Sequence, residues 1–135
     1  MRLLMPSLNA LLNDPRYHRT WRGLLLLLMA VVSWFAFAPD PGGSGFAHAD
    51  KLNHMLAFGV LGGTAVLTGH ASAARLGRVA LALVAYGAFI EVVQSYLPTR
   101  QGDWLDLLAD AAGIGLGVCL VVLLRRRWAA PVPSR

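Results

Sequence analysis

Residues 21–38 read WRGLLLLLMAVVSWFAFA, and past Arg22 no charge interrupts them. About 20 predominantly apolar residues, with a range of roughly 17–25, carry a helix across the hydrocarbon core of a bilayer. Working outward from this stretch, residues 52–68, 79–97 and 105–124 also reach that length. A buried soluble helix explains any one of them, but four joined by such short connections favour membrane spans. The fold expected is all-α: a polytopic membrane protein whose four-transmembrane-helix bundle covers residues 21–124. A cytoplasmic N-terminal segment, 1–20, precedes it, and a cytoplasmic basic tail, 125–135, follows.

Composition agrees. Of 135 residues, 56% are hydrophobic and 14% charged, against about 25% charged in soluble domains. A small soluble domain has a large surface to cover, and this charge is too sparse for it. Disordered chains, coiled coils and most soluble domains are excluded. The single cysteine, Cys119, excludes an intramolecular disulfide and a Cys-cluster zinc site.

The net charge is +5, and its placement points to topology rather than to nucleic acid. Ten of the twelve basic residues precede the first span, join the second to the third, or follow the fourth. In a four-span chain these segments share one side. The positive-inside rule makes it the cytoplasm and places both termini there, with scope for contacts to anionic lipid. The expected location is therefore a membrane crossed several times, with both termini on its cytoplasmic side. Asp14 alone among the acids lies on that side; Asp40, Asp50, Glu91, Asp103, Asp106 and Asp110 fall in outer loops or outer span halves.

A rival reading takes the arginines, the first apolar run and Ala47-His48-Ala49 as a cleavable signal peptide. The stretch from Pro39 to Ala49 is long for that architecture. Before the first span, Leu4, Leu8, Leu11 and Leu12 recur at helical spacing up to Asn13-Asp14-Pro15, which predicts a short helix lying in the inner interface. PDPGGSG, residues 39–45, reads as an outer loop, and residues 131–135 as a tail.

Ionisable residues inside apolar spans are expensive and default to functional hypotheses. Asp50, Lys51 and His54 open the second span and can share a face, through i,i+4 and i,i+3 spacings. Gly87, Glu91 and Gln94 form one stripe on the third. Asp103, Asp106 and Asp110 follow an i, i+3, i+7 pattern after Arg100, continued inward by Gly113 and Gly117. Gly59 and Gly63 make a second G-x-x-x-G, the pattern that lets membrane helices approach closely. These stripes predict a polar pocket in the outer leaflet where the last three spans converge. Plainer roles stand beside this one. Asp50 and Asp103 open helices, where Asp caps. Lys51 can snorkel to the interface, His54 can be a core histidine, and Glu91 with Asp110 can belong to a structural polar network. Tyr96 and Trp104 read as interfacial anchors.

Taken together, the spacings resemble the VanZ family of small bacterial membrane proteins. Asp50-Lys51-x-x-His54-x-x-x-Phe58 is similar to its first motif, and Gly87-x-x-x-Glu91-x-x-Gln94 to its second. Arg100-x-x-Asp103-x-x-Asp106-x-x-x-Asp110-x-x-Gly113 is similar to its third. The family more often carries Asn at the Asp110 position, so this chain adds a potential negative charge there. The resemblance covers about residues 50–117. It implies a multi-span membrane protein, and the name-giving relative's association with low-level teicoplanin resistance implies a role at the cell envelope.

Three activities fit these residues. In the first, Lys51, His54, Glu91, Gln94, Arg100, Asp103, Asp106 and Asp110 bind a membrane lipid or lipid-linked cell-envelope precursor without cofactor. The cations then meet a phosphate or carboxylate. In the second, the protein is an enzyme on a lipid-linked phosphate. Asp103, Asp106 and Asp110 would hold Mg²⁺ or Mn²⁺, and His54 or Glu91 would be the general base. A small proton-coupled transporter is the third, for which four spans are few unless the chain forms a homo-oligomer.

Overall fold

A computed structural model describes residues 7–39, 49–100 and 102–129. Leu4, most of the expected outer loop, Ala47 and His48, and the tail beyond 129 lie outside the described residues. The described chain is helical throughout: α1 (Leu8–Asn13), a 3₁₀ turn (Pro15–Tyr17), α2 (His18–Phe37), α3 (Ala49–Leu67), α4 (Ala73–Ser95) and α5 (Trp104–Trp128).

The short helix α1 starts at Ser7, whose hydroxyl accepts from the Ala10 N–H at 3.2 Å. It stops where Asp14 turns to accept from the Arg16 N–H and open the 3₁₀ turn. Trp21 Nε1 donates to the Leu11 carbonyl at 3.0 Å, which folds α1 back on α2. Arg125 Nε donates to Asn13 Oδ1 at 3.2 Å, which holds it to α5.

Among the described residues, three helices are long and apolar enough to cross a membrane: Pro15–Phe37, Ala73–Ser95 and Trp104–Trp128. The second expected span forms α3 but is not among them, because Asp50, Lys51, Asn53 and His54 occupy its first turns. The helices also outrun the expected spans. α4 begins at Ala73, capped by Ser72, and α5 carries on through Arg125–Arg127. Charge ends an apolar run without ending a helix, so the helices project past the apolar stretch.

The solvation pattern is inverted relative to a soluble domain. Asp106 and Asp110 are 1% and 0% exposed, while Leu26, Leu81 and Leu116 are 68%, 71% and 63% exposed. Carboxylates are almost never fully buried in soluble proteins unless paired, and exposed apolar surface on this scale needs a partner. Lipid supplies that partner, and polar groups must then be satisfied inside the bundle.

Helix α3 is the central element, with Phe58 and every residue from Leu61 to Leu67 buried. Its closest neighbour is α5. A Cβ on Gly62 would stand 2.9 Å from the Ile114 carbonyl oxygen, and one on Gly113 would collide with the Met55 carbonyl. The G-x-x-x-G pairs of α3 and α5 therefore face each other, backbone against backbone. In lipid, where no hydrophobic force drives helices together, such close packing holds them.

Arginines finish the C-terminal end of α3. Arg22 Nε donates to the Thr68 carbonyl at 3.3 Å, Arg75 Nη2 to that of Ala65 at 2.9 Å, and Arg125 Nη1 to those of Val66 and Gly69 at 3.0 and 2.8 Å. Cations placed here hydrogen-bond the last carbonyls and oppose the negative end of the helix dipole.

Candidate functional site

The opening turns of α3 set Lys51 and His54 on the face turned to α5. Lys51 Nζ lies 2.7 Å from Asp103 Oδ2 and 3.1 Å from Asp106 Oδ1. One turn deeper, His54 Nδ1 lies 2.9 Å from Asp110 Oδ1. The i, i+3, i+7 stripe of α5 thus meets the stripe of α3 in two layers. The upper layer is half-open, with Asp103 at 37% side-chain exposure; the lower is sealed, with Asp110 at 0%.

Helix α4 completes the lower layer. Glu91 Oε2 accepts from the Asp103 N–H at 2.8 Å, and Oε1 stands 3.8 Å from His54 Nδ1. Span positions favour Lys51 and Arg100 as basic partners of Glu91; among the described residues it is the His54 imidazole that comes within 4 Å of it. Gly87, one turn before Glu91, makes room: a Cβ there would collide with Asp110 Oδ2. The group that comes closest to Gly87 is therefore a carboxylate rather than a helix backbone.

Asp103 combines both expected roles. Its Oδ1 accepts from the Leu105 N–H at 2.9 Å as the cap of α5, while Oδ2 meets Lys51. The Lys51 ammonium, and after it the Leu105 N–H, holds the Asp103 carboxyl below the usual carboxylate range. Gly102 fits beneath it, since a Cβ there would be 2.7 Å from the Glu91 carbonyl oxygen.

Gln94 and Arg100 turn the other way, toward α2. Gln94 Nε2 donates to the Ala36 carbonyl at 3.0 Å. Arg100 donates to the carbonyls of Phe35 and Ala38, at 2.9 Å and 3.0–3.1 Å, at the C-terminal end of α2. Between α2, α3 and α4 these residues border a cleft of about 320 Å³. Val31, Val32, Phe35, Ala57 and Ile90 make its walls apolar, and Asp50, Asn53, His54, Gln94 and Arg100 line it with polar groups. His54 belongs to both the acidic layer and the cleft.

Asp50, part of the first stripe, and Asn53 line the cleft but stand outside the ligand set expected from sequence. Asp50 shares the His54 spacing and could have been included on that ground; nothing in the sequence singles out Asn53. The metal set expected on one stripe is regrouped. Ligand atoms of His54, Glu91 and Asp110 lie within 4.8 Å of one another, as do those of Asp50, His54 and Asp106, and Asp103 belongs to neither group. A stripe on one helix spreads its residues along the axis, whereas side chains from three helices can meet at a point.

The VanZ/LLP1 family model matches residues 11–125, a stretch that includes all of these groups. The chain belongs to the VanZ/LLP1 family. No curated protein and no solved structure matches it. In this VanZ/LLP1 chain the match begins within α1 and runs almost to the end of α5. It therefore takes in α2, which forms one wall of the cleft and carries none of the three motifs.

Proposed function

We propose that this VanZ/LLP1 protein binds a membrane lipid or lipid-linked cell-envelope precursor in the cleft between α2, α3 and α4. The observation that carries the reading is the cleft's two-part lining. Apolar walls suit an acyl or prenyl chain, and Asn53, His54, Gln94 and Arg100 at the same cleft suit a phosphate or sugar headgroup. Binding of this kind needs no cofactor and no nucleic acid.

The accompanying membrane arrangement is four spans, α2 to α5, in the bacterial inner membrane, with both termini cytoplasmic. Ten of twelve basic residues on one side support it. Under that arrangement α1 lies at the inner interface, and the cleft opens toward the outer leaflet, where envelope precursors and glycopeptides such as teicoplanin meet. A second reading, an enzyme acting on a lipid-linked phosphate, is supported by the His54, Glu91 and Asp110 group beside the cleft.

The test is mass spectrometry of lipids retained by the full chain in native nanodiscs, for wild type and Ala57→Phe. One lipid class should be enriched over the surrounding membrane in wild type and lost in the variant, whose larger side chain fills the cleft. Bulk lipid composition in wild type would overturn the proposal.

A further inference from the structure

We propose that His54, Glu91 and Asp110 form a binding site for one divalent cation of the Zn²⁺ or Mn²⁺ kind, where α3, α4 and α5 meet. Each helix brings one ligand, and the ligand atoms lie within 4.8 Å of one another. His54 Nδ1 is 2.9 Å from Asp110 Oδ1 and 3.8 Å from Glu91 Oε1. The Glu91 and Asp110 side chains are 10% and 0% exposed.

Two buried oxygens carry the argument. Among the described residues, Glu91 Oε1 and Asp110 Oδ2 have no hydrogen-bond partner. Buried polar atoms are normally paired, and an orphan demands an explanation. Here there are two, on neighbouring carboxylates, and Glu91 Oε1 faces the imidazole nitrogen. A divalent cation answers both: it gives each carboxylate a ligand bond and balances two negative charges beside a neutral imidazole. One nitrogen and two carboxylates suit Zn²⁺ or Mn²⁺ better than Mg²⁺ or Ca²⁺, which take oxygen ligands.

The ligands are also held in place. Glu91 Oε2 is fixed by the Asp103 N–H at 2.8 Å, which directs Oε1 inward. The missing Cβ of Gly87 leaves room for the Asp110 carboxylate. Outer contacts of this sort orient metal ligands. Three protein ligands leave a coordination position open, as in catalytic rather than structural sites, and His54 puts the site on the border of the cleft.

The alternative group, Asp50, His54 and Asp106, is weaker. Asp106 Oδ1 already meets the Lys51 ammonium at 3.1 Å, and a second cation beside it would be repelled.

The proposal stands whether or not the cleft holds lipid, and its test reads metal alone. The full chain in nanodiscs is stripped with chelator and loaded with ZnCl₂ or MnCl₂. Bound metal is then measured by mass spectrometry and stability by thermal melting. Wild type should hold one equivalent and melt higher when loaded. Asp110→Asn and Glu91→Gln, which keep shape, should weaken binding by more than the roughly 10–100-fold that loss of a supporting contact costs a metal site. Asp50→Asn should keep the metal. No metal on wild type above an empty-nanodisc blank would overturn the site, as would unchanged affinity in Asp110→Asn or loss in Asp50→Asn. Nitrogen NMR of labelled histidine in wild type needs no variant to fold: Zn²⁺ should shift His54 Nδ1, and an unmoved signal overturns the assignment.

Discussion

Gly117→Ala should destabilise the bundle, and Gly115→Ala on the same helix should not. Both changes relieve α5 of a glycine, which helix propensity rewards with up to about 1 kcal/mol. Their surroundings differ. A Cβ at Gly115 meets nothing within 4 Å. A Cβ at Gly117 would collide with the Gly59 carbonyl oxygen and stand 2.8 Å from its carbonyl carbon and 3.0 Å from Gly63 N. These are backbone atoms of the facing helix, so no rotamer change can clear them; α3 and α5 must move apart. Overpacking a tight site costs about 1–3 kcal/mol, and a wall of backbone places this case toward the upper end. Subtracting one variant from the other cancels the propensity gain and leaves the cost of overpacking, about 2–3 kcal/mol. Reversible unfolding of both variants in mixed detergent micelles measures it. Equal stabilities would refute the claim that the two backbones touch at Gly117.

Gly87→Ala should push Asp110 off His54, because the new methyl occupies the place of Asp110 Oδ2. The loss should be about 2–4 kcal/mol from overpacking and the broken contact, and the same substitution in an Asp110→Ala background should cost little. Asp103 should make stability pH-dependent. Its carboxyl is held low in the folded state by Lys51, so its contribution is complete above the usual carboxylate range and fades as pH falls through the lowered value. The melting gap between wild type and Asp103→Asn should therefore be open at neutral pH and close in strong acid; a gap that widens in acid reverses the sign and defeats the assignment. A Gly43→Cys variant lacking Cys119 should be labelled by an impermeant thiol reagent from outside the cell, and labelling only from the cytoplasm would reject the proposed topology.

The apolar runs were enough to establish an all-helical membrane chain, because a bilayer demands length and hydropathy and both are local properties of sequence. The motif residues were legible for a related reason. Lys51, His54, Glu91 and Asp110 interrupt apolar runs, where an uncompensated polar group is costly. Periodicity alone also aligned Gly59 with Gly63 and Gly113 with Gly117. What each of these residues meets could not be read in the same way, since a contact depends on how two helices rotate against each other. Tertiary structure turned Gln94 and Arg100 toward the carbonyls of α2, away from the acids that share their motifs. It gave Arg22, Arg75 and Arg125, whose sequence positions spoke only of topology, the carbonyls at the C-terminal end of α3. It also replaced an acidic stripe on one helix with a point where three helices meet. Side chains on one helix stay a turn apart along its axis, and only neighbouring helices can bring carboxylates and an imidazole together around a single position.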